Sequence, residues 1–162
     1  MTRLYLSLAA LLALTACGDD DPLHPPPPPV VKEPLFPANF SQVYEQVREC
    51  RASSEHDLSR VLIYADALAR TTYQTREGEF AVGSTIVKEE YDGTDTDCSG
   101  PLTQWTVMQR LAAGSSPATL DWTWQRISRT REVLTENELR CTNCHSSCGV
   151  PPDGYLITCA LP

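Results

Sequence analysis

The 162-residue sequence has few lysines and no long apolar run. Lys32 and Lys88 are its only lysines, and 21 acidic residues against 13 basic ones give a formal net charge of −8. A nucleic acid would be repelled by this charge, so we predict no nucleic-acid partner. No apolar run reaches the roughly 18 residues of a membrane-spanning helix. The length excludes a TIM barrel and fits a single domain.

The first segment has the pattern of a secretory signal. An arginine near the start is followed by an apolar stretch at residues 4–14 and by small residues before Cys17. These features are typical of a signal peptide, which we predict over residues 1–16. The motif Leu14-Thr15-Ala16-Cys17 resembles the lipobox of bacterial lipoproteins, in which the cysteine is acylated and becomes the first mature residue. An ordinary signal peptide with an incidental cysteine is the alternative.

Residues 17–33 are predicted to form a tether between a membrane and the folded domain. An acidic triplet at residues 19–21 precedes five consecutive prolines at residues 25–29. Consecutive prolines favour an extended spacer of roughly 3.1 Å per residue. Acyl chains on Cys17 would bury their CH₂ groups in a bilayer. We therefore expect a lipid-anchored protein of the cell envelope that faces the periplasm or the outer surface.

Residues 34–162 are predicted to form one α+β domain with an antiparallel sheet, flanking helices and a helix near its C-terminal end. Phe40, Val43, Tyr44 and Val47 recur at helical spacing, which predicts a first helix from residue 39 or 41 to residue 51. Runs of β-branched and aromatic residues predict strands at residues 61–64, 84–91, 102–111 and 120–127. The order of these elements favours an antiparallel sheet over a parallel one.

A second helix is predicted directly after the first strand. Asp66 is a suitable N-cap residue for it. The spacing of Leu68, Ala69 and Tyr73 predicts that these three side chains face the core.

The most informative motif is C-x-x-C-H at residues 141–145. This motif is typical of covalent c-type haem attachment: the thiols of Cys141 and Cys144 add to the haem vinyl groups, and His145 binds the iron. Residues 135–138 have the form of a capping box, which predicts a helix that starts near Thr135 and ends at Gly149. On that helix the three motif residues share one face, because they are three and four residues apart.

Three alternatives to haem stay open from the motif alone. A thioredoxin-like redox pair would need a βαβ pattern, which the surrounding sequence lacks. A disulfide knot without a cofactor is the second alternative. The third is a structural zinc site, which would draw its ligands from Cys141, Cys144, His145, Cys148 and Cys159.

The number of cysteines is consistent with an exported haem protein. Acylation would use Cys17 and two thioethers would use two more, which leaves four of the seven cysteines. An even remainder in an exported protein predicts two disulfides. Of the three connectivities, we favour Cys148–Cys159 with Cys50–Cys98, because the first pair is local and closes the segment behind the haem helix.

From about residue 36 onward, the chain resembles the cytochrome P460 family, which includes the cytochromes c′-β. The resemblance begins with Phe36-Pro37-Ala38-Asn39-Phe40 and continues at residues 64–69 and 82–89. A tryptophan-rich strand at residues 121–124 precedes the C-x-x-C-H motif, as it does in family members. The similarity covers most of residues 34–162.

This resemblance implies an antiparallel sheet with helices, one covalent haem c per chain and an iron with an open distal side. It implies haem attachment at Cys141 and Cys144 and proximal ligation by His145. Some members cross-link a lysine to the porphyrin, and Lys88 is the one lysine of the domain. A strand lysine beside Glu89 and Glu90 is the alternative role of Lys88, and the one we favour.

Further residues are candidates for the surroundings of the haem. His56 is a candidate distal iron ligand or hydrogen-bond donor, although a surface histidine flanked by two acids is the favoured interpretation. Met108 is a candidate axial ligand, but methionine more commonly fills a core. We expect Trp105, Trp122 and Trp124 to pack the sheet, and Arg126, Arg129 or Arg131 to pair with haem propionates.

The sequence predicts a membrane-tethered c-type haem protein, and the resemblance implies that it transfers electrons or binds a small ligand of the nitric oxide type. An oxidoreductase acting on hydroxylamine or peroxide, as the resemblance also implies, is the alternative, and a haem-free structural lipoprotein is the second alternative. The expected partners are the lipid membrane and a redox partner or small ligand.

Overall fold

The computed structural model describes residues 30–54, 56–148 and 155–160. The predicted signal peptide, Cys17, residues 18–29 of the predicted tether and Gly149 lie outside these residues. Within the described ranges, no helix is both long enough and apolar enough to cross a membrane.

The fold is a six-stranded antiparallel sheet in sequence order, accompanied by short helices, over the described residues. The strands are β1 (Glu45–Ala52), β2 (Arg60–Ala65), β3 (Thr85–Tyr91), β4 (Gln104–Arg110), β5 (Trp122–Ser128) and β6 (Val133–Glu136). The helices are α1 (Phe40–Val43), α2 (Arg70–Thr75) and α3 (Leu139–His145), with one 3₁₀ turn at Pro117–Thr119. The predicted α+β class is confirmed, and β2 to β5 match the four predicted strands to within three residues.

The predicted helix over residues 39–51 is wrong. Only α1 is helical, and the remainder of this segment forms the edge strand β1. Two register shifts interrupt the pairing of β1 with β2, one between Gln46 and Arg48 and one between Arg48 and Arg51. Of the residues whose spacing predicted the helix, Phe40 and Val43 lie in α1 and only Val47 lies in β1. The helical pattern therefore comes mainly from α1, and it does not extend along the segment that pairs with β2.

The second predicted helix is present in shortened form as α2. The Asp66 carboxylate accepts hydrogen bonds from the backbone N–H groups of Leu68 and Ala69, and it caps the turn that leads into α2. Ala69 and Tyr73 are buried as predicted, but Leu68 is 53% exposed. Leu68 lies in the capping turn before α2 begins, so helical periodicity does not apply to it.

The predicted helix start near Thr135 is also wrong. Thr135 and Glu136 pair with β5 as part of β6, and α3 begins at Leu139. Asn137 extends the contact with β5, because its backbone N–H donates to the Trp124 carbonyl and its side-chain oxygen accepts from the Trp124 N–H. Sheet pairing therefore prevails over the capping-box pattern.

The two faces of the sheet carry different layers. On one face, Phe36 and Phe40 of the N-terminal segment pack on Val87, Val107 and Ile127. The opposite face carries a larger cluster that includes Ile86, Met108, Trp122 and Trp124, and Cys141 of α3 packs against it. The face that carries α3 is the one that bears the candidate site.

Two disulfides close the structure. Cys50 of β1 is bonded to Cys98 in the β3–β4 loop, and Cys148 after α3 is bonded to Cys159 near the C-terminus. This is the predicted connectivity.

Candidate functional site

Helix α3 brings the three residues of the C-x-x-C-H motif to the wall of one cavity. Cys141 and Cys144 are half-buried thiols that belong to neither disulfide, and burial raises the pKa of the Cys141 thiol. His145 is 9% exposed. The helix thus presents two thiols and one imidazole to the same space, as the spacing predicts.

The surroundings of His145 fix its tautomer and its charge. Its Nδ1–H donates a hydrogen bond to the Ile157 carbonyl, and its ring packs 4.6 Å from the Trp124 ring, measured between centroids. Burial, aided by the charge of Lys88, lowers the pKa of His145 to about 4. At neutral pH the imidazole is therefore uncharged and its Nε2 carries the lone pair, which is the form that binds a metal.

The cavity lies between α3 and the sheet, and the space between its lining atoms, together with the open solvent at its mouth, amounts to about 820 Å³. Its floor consists of two rows of side chains that are neighbours across β3, β4 and β5, one row apolar and one polar. The apolar row is Ile86, Met108 and Trp124. The polar row, offset by two residues on each strand, is Lys88, Thr106 and Arg126.

A buried network of polar side chains lies at the polar end of the cavity. Glu90 is 1% exposed. Its carboxylate accepts hydrogen bonds from Gln104 Nε2 at 2.7 Å, His56 Nδ1 at 2.8 Å and Thr106 Oγ1 at 2.9 Å. His56 Nε2 lies 2.5 Å from Lys88 Nζ, so one imidazole bridges the ammonium and the carboxylate.

The pKa values of this network follow from its burial and its hydrogen bonds. Burial raises the pKa of Glu90, but the hydrogen bonds led by His56 outweigh this effect and hold the pKa below its usual range. Burial lowers the pKa of Lys88 to about 8, against the opposing attraction of Glu90. At pH 7 the cavity therefore contains an ionised carboxylate and a mostly protonated amine.

Two ion pairs occupy the mouth of the cavity. Arg140 pairs with Asp57 at 2.5 Å, and Arg126 lies 3.8 Å from Glu138. The Nε of Arg126 is buried and has no hydrogen-bond partner. Arg126 therefore retains an unused donor beside the cavity.

Only some of the other predicted site residues line the cavity. Of the three predicted arginines, Arg126 lines the cavity and Arg129 does not. Arg131 lies on the opposite face of the sheet, where its guanidinium is 4.5 Å from the centre of the Phe36 ring, so a role with a ligand of the cavity is wrong for it. Trp105 also packs on that opposite face.

His56 and Lys88 both line the cavity, so the favoured interpretation of His56 as a surface histidine is wrong. Lys88 is a strand lysine, as favoured, but its amine faces the cavity together with Glu90. The sequence analysis assigned no role to Thr106 or Arg140. One pattern was available: residues 86, 88 and 90 alternate within a strand, which places Lys88 and Glu90 on the same face as the buried Ile86.

Residues 37–150, more than half of the chain, match the family model of cytochrome P460. The chain belongs to the cytochrome P460 family. No curated protein matches the sequence. Membership in the cytochrome P460 family indicates a haem protein with a redox role, and proteins of this family bind haem covalently.

The residues of the cavity fit a haem of the cytochrome P460 type. The apolar row suits the macrocycle, and two thiols beside a neutral imidazole are the groups that covalent attachment and iron ligation need. The unused Nε of Arg126, together with Arg140 at the mouth, suits the negative propionates. The cavity therefore combines an apolar wall with cationic groups, which matches the apolar macrocycle and the anionic propionates of haem.

The alternatives to haem fit less well. Cys148 and Cys159 form a disulfide and are not available as zinc ligands. In the part of the chain that the structure describes, no group of three His, Cys, Asp or Glu side chains forms a metal site. The antiparallel sheet also differs from the βαβ arrangement of a thioredoxin-like pair.

Proposed function

We propose that this protein carries one haem c per chain and uses it to transfer electrons or to bind a small ligand of the nitric oxide type. Cys141 and Cys144 attach the haem, and His145 is the proximal ligand of the iron. The observation that supports this proposal best is the convergence of two thiols and a neutral imidazole on one cavity with an apolar and a polar row.

The side chains of the cavity have separate roles in this proposal. The bound haem supplies an iron that alternates between ferric and ferrous states and accepts a small ligand. Trp124 packs against His145 and restricts rotation of the imidazole. Arg126 and Arg140 neutralise the propionates. Ile86 and Met108 keep water from the macrocycle.

An oxidoreductase acting on hydroxylamine or peroxide is the second candidate function, and the Lys88–His56–Glu90 network favours it. Oxidation of such a substrate needs a group that accepts or donates protons close to the reacting atoms. The bridged ammonium, imidazole and carboxylate supply such a group on the cavity wall. Lys88 also faces the cavity, which a cross-link from its amine to the porphyrin would require.

The proposal also includes the predicted location of the protein. Residues 1–16 are a signal peptide, acylated Cys17 anchors the chain in a membrane, and residues up to 33 form the tether. The haem domain then occupies residues 34–162 on the cell envelope. The composition of the N-terminal segment supports this arrangement.

Absorption spectroscopy of the matured protein tests the haem proposal. We expect the spectrum of a c-type haem, which is lost when Cys141 and Cys144 are both replaced by alanine. A high-spin ferrous form that shifts on addition of carbon monoxide supports ligand binding, whereas a low-spin form that does not respond supports electron transfer. A wild-type protein without haem absorption contradicts both roles.

Steady-state kinetics test the second candidate function. With hydroxylamine and an artificial electron acceptor, Glu90→Gln should lower kcat by about 10²-fold, because it removes the ionised carboxylate of the network. Glu89→Gln is the matched control, since Glu89 binds Tyr91 and Trp105 on the opposite face of the sheet. An equal effect of both substitutions, or no turnover by the wild type, would contradict the enzymatic role.

A further inference from the structure

We infer that the Cys148–Cys159 disulfide positions the proximal imidazole: it holds the Ile157 carbonyl against Nδ1 of His145 and so sets how strongly this ligand donates electrons to the iron. The inference rests on the proposed haem site. It concerns a residue pair that lies behind the ligand and does not line the cavity.

A closed set of backbone contacts connects the disulfide to His145. The Cys148 N–H donates to the His145 carbonyl at 3.0 Å, and the Ile157 N–H donates to the Cys148 carbonyl at 3.1 Å. The Ile157 carbonyl in turn accepts from His145 Nδ1 at 2.5 Å. Cys159 Sγ lies 3.8 Å from the same nitrogen. The disulfide thus joins both sides of the contact that orients the imidazole.

The backbone that carries the Ile157 carbonyl is held in an uncommon conformation. Leu156, Ile157 and Cys159 have φ angles of +44°, +74° and +52°. A β-branched residue such as isoleucine rarely adopts a positive φ, and such a residue persists only where the surrounding structure holds it there. The disulfide is the covalent restraint on this segment, so its removal should let the carbonyl move away from His145.

The hydrogen bond has a direct consequence for a metal on the opposite nitrogen. When Nδ1–H donates to a strong acceptor, the ring gains negative charge and Nε2 becomes a more basic ligand. A more basic proximal ligand stabilises ferric iron relative to ferrous iron and strengthens the iron–imidazole bond. The disulfide should therefore keep the reduction potential of the haem low.

Paired double variants test this inference in the matured full-length protein. Replacement of Cys148 and Cys159 by serine should shift the haem reduction potential to more positive values and move the ferrous iron–histidine stretching band to lower frequency. Replacement of Cys50 and Cys98 by serine is the matched control, because that disulfide joins β1 to the β3–β4 loop and does not contact His145. In the control, both readouts should equal those of the wild type.

An unchanged potential and band in the Cys148→Ser/Cys159→Ser protein would overturn the inference. Equal shifts in the two double variants would overturn it as well, because they would indicate general loosening of the fold. A wild-type protein that contains no haem would instead contradict the proposed function.

A second experiment covers the case in which the variant is not matured. The haem-loaded Cys50→Ser/Cys98→Ser protein, whose remaining disulfide is Cys148–Cys159, is reduced with dithiothreitol, alkylated with iodoacetamide and freed of reagents. Mass spectrometry then counts two alkylated thiols, since thioether bonds to haem resist the reductant. The same positive shift in potential supports the inference, and a potential equal to that of the untreated protein overturns it.

Discussion

Glu90 and His145 are both buried, yet their surroundings keep the Glu90 carboxylate ionised and the His145 imidazole neutral. Hydrogen bonds from His56, Gln104 and Thr106 stabilise the Glu90 carboxylate and offset the cost of its burial. His145 lacks a nearby carboxylate among its described partners and lies close to Lys88, so its neutral form is favoured. One residue is thus prepared to hold or move a proton, and the other to bind a metal.

Substitution of Glu90 should destabilise the fold. Glu90→Gln removes the negative charge that faces Lys88 and His56, and we expect a loss of about 3 kcal/mol in the free energy of unfolding. Urea unfolding at pH 7 measures this loss. Glu89→Gln on the opposite face should cost less than about 1 kcal/mol. Equal losses for the two variants would contradict the assigned role of the network.

The pKa of His145 predicts acid sensitivity of the haem-free protein. The folded pKa of about 4 lies below the value of 6.5 of an ordinary histidine, so the unfolded chain binds more protons between these values. Stability is therefore fully present above pH 6.5 and falls as the pH drops towards 4, by up to about 3 kcal/mol. Urea midpoints from pH 4 to pH 7 measure this, and His145→Asn should flatten the slope. An unaltered slope would contradict the buried neutral imidazole.

Among the secondary-structure elements, the four central strands were predictable and the ends of the domain were not. Strands β2 to β5 have local runs of β-branched and aromatic residues, so their own sequence determines them. Strand β1 depends on irregular pairing with β2, and β6 depends on pairing with β5. Those partners lie elsewhere in the chain, and a local pattern contains no information about them.

The candidate site, like the secondary structure, was predictable only in part. The placement of Cys141, Cys144 and His145 on one face of α3 follows from a contiguous motif with helical spacing, and this part is found from five residues. The floor of the cavity assembles side chains from β3, β4 and β5 through the register of the sheet. The alternation of residues 86, 88 and 90 already places Lys88 and Glu90 on one face of β3. Arg140 acquires its role only from the position of α3, which the sequence does not specify.

The two disulfides should differ in their contributions to stability and to the site. The Cys50–Cys98 pair spans 48 residues and the Cys148–Cys159 pair spans 11. By loop-closure entropy, removal of the first should cost about 4 kcal/mol and removal of the second about 3 kcal/mol. Denaturant unfolding of the two double serine variants measures both values. A larger loss from the short loop would contradict this account.

At the scale of the whole molecule, the sheet separates a packing layer from a site layer. Phe36, Phe40 and Trp105 pack one face, and the other face supports the cavity and α3. This separation lets one face stabilise the domain while the other accepts polar groups.

Membrane attachment can be tested on the full-length chain in a bacterial host. We expect the wild-type protein to partition into the detergent phase with the envelope fraction, because acyl chains on Cys17 bury in lipid. The variant Cys17→Ser should lose this partitioning. As a control, Cys50→Ser/Cys98→Ser should fractionate like the wild type. Recovery of wild-type protein in the aqueous phase would contradict the lipid anchor.

The intact mass of the matured protein, read together with its pyridine haemochrome spectrum, tests the central claim most directly. The account predicts the mass of the processed chain plus one haem, the haemochrome of a c-type haem, and no alkylation of Cys141 or Cys144 by iodoacetamide. A protein with the mass of the processed chain alone, whose two thiols are both alkylated, would contradict it.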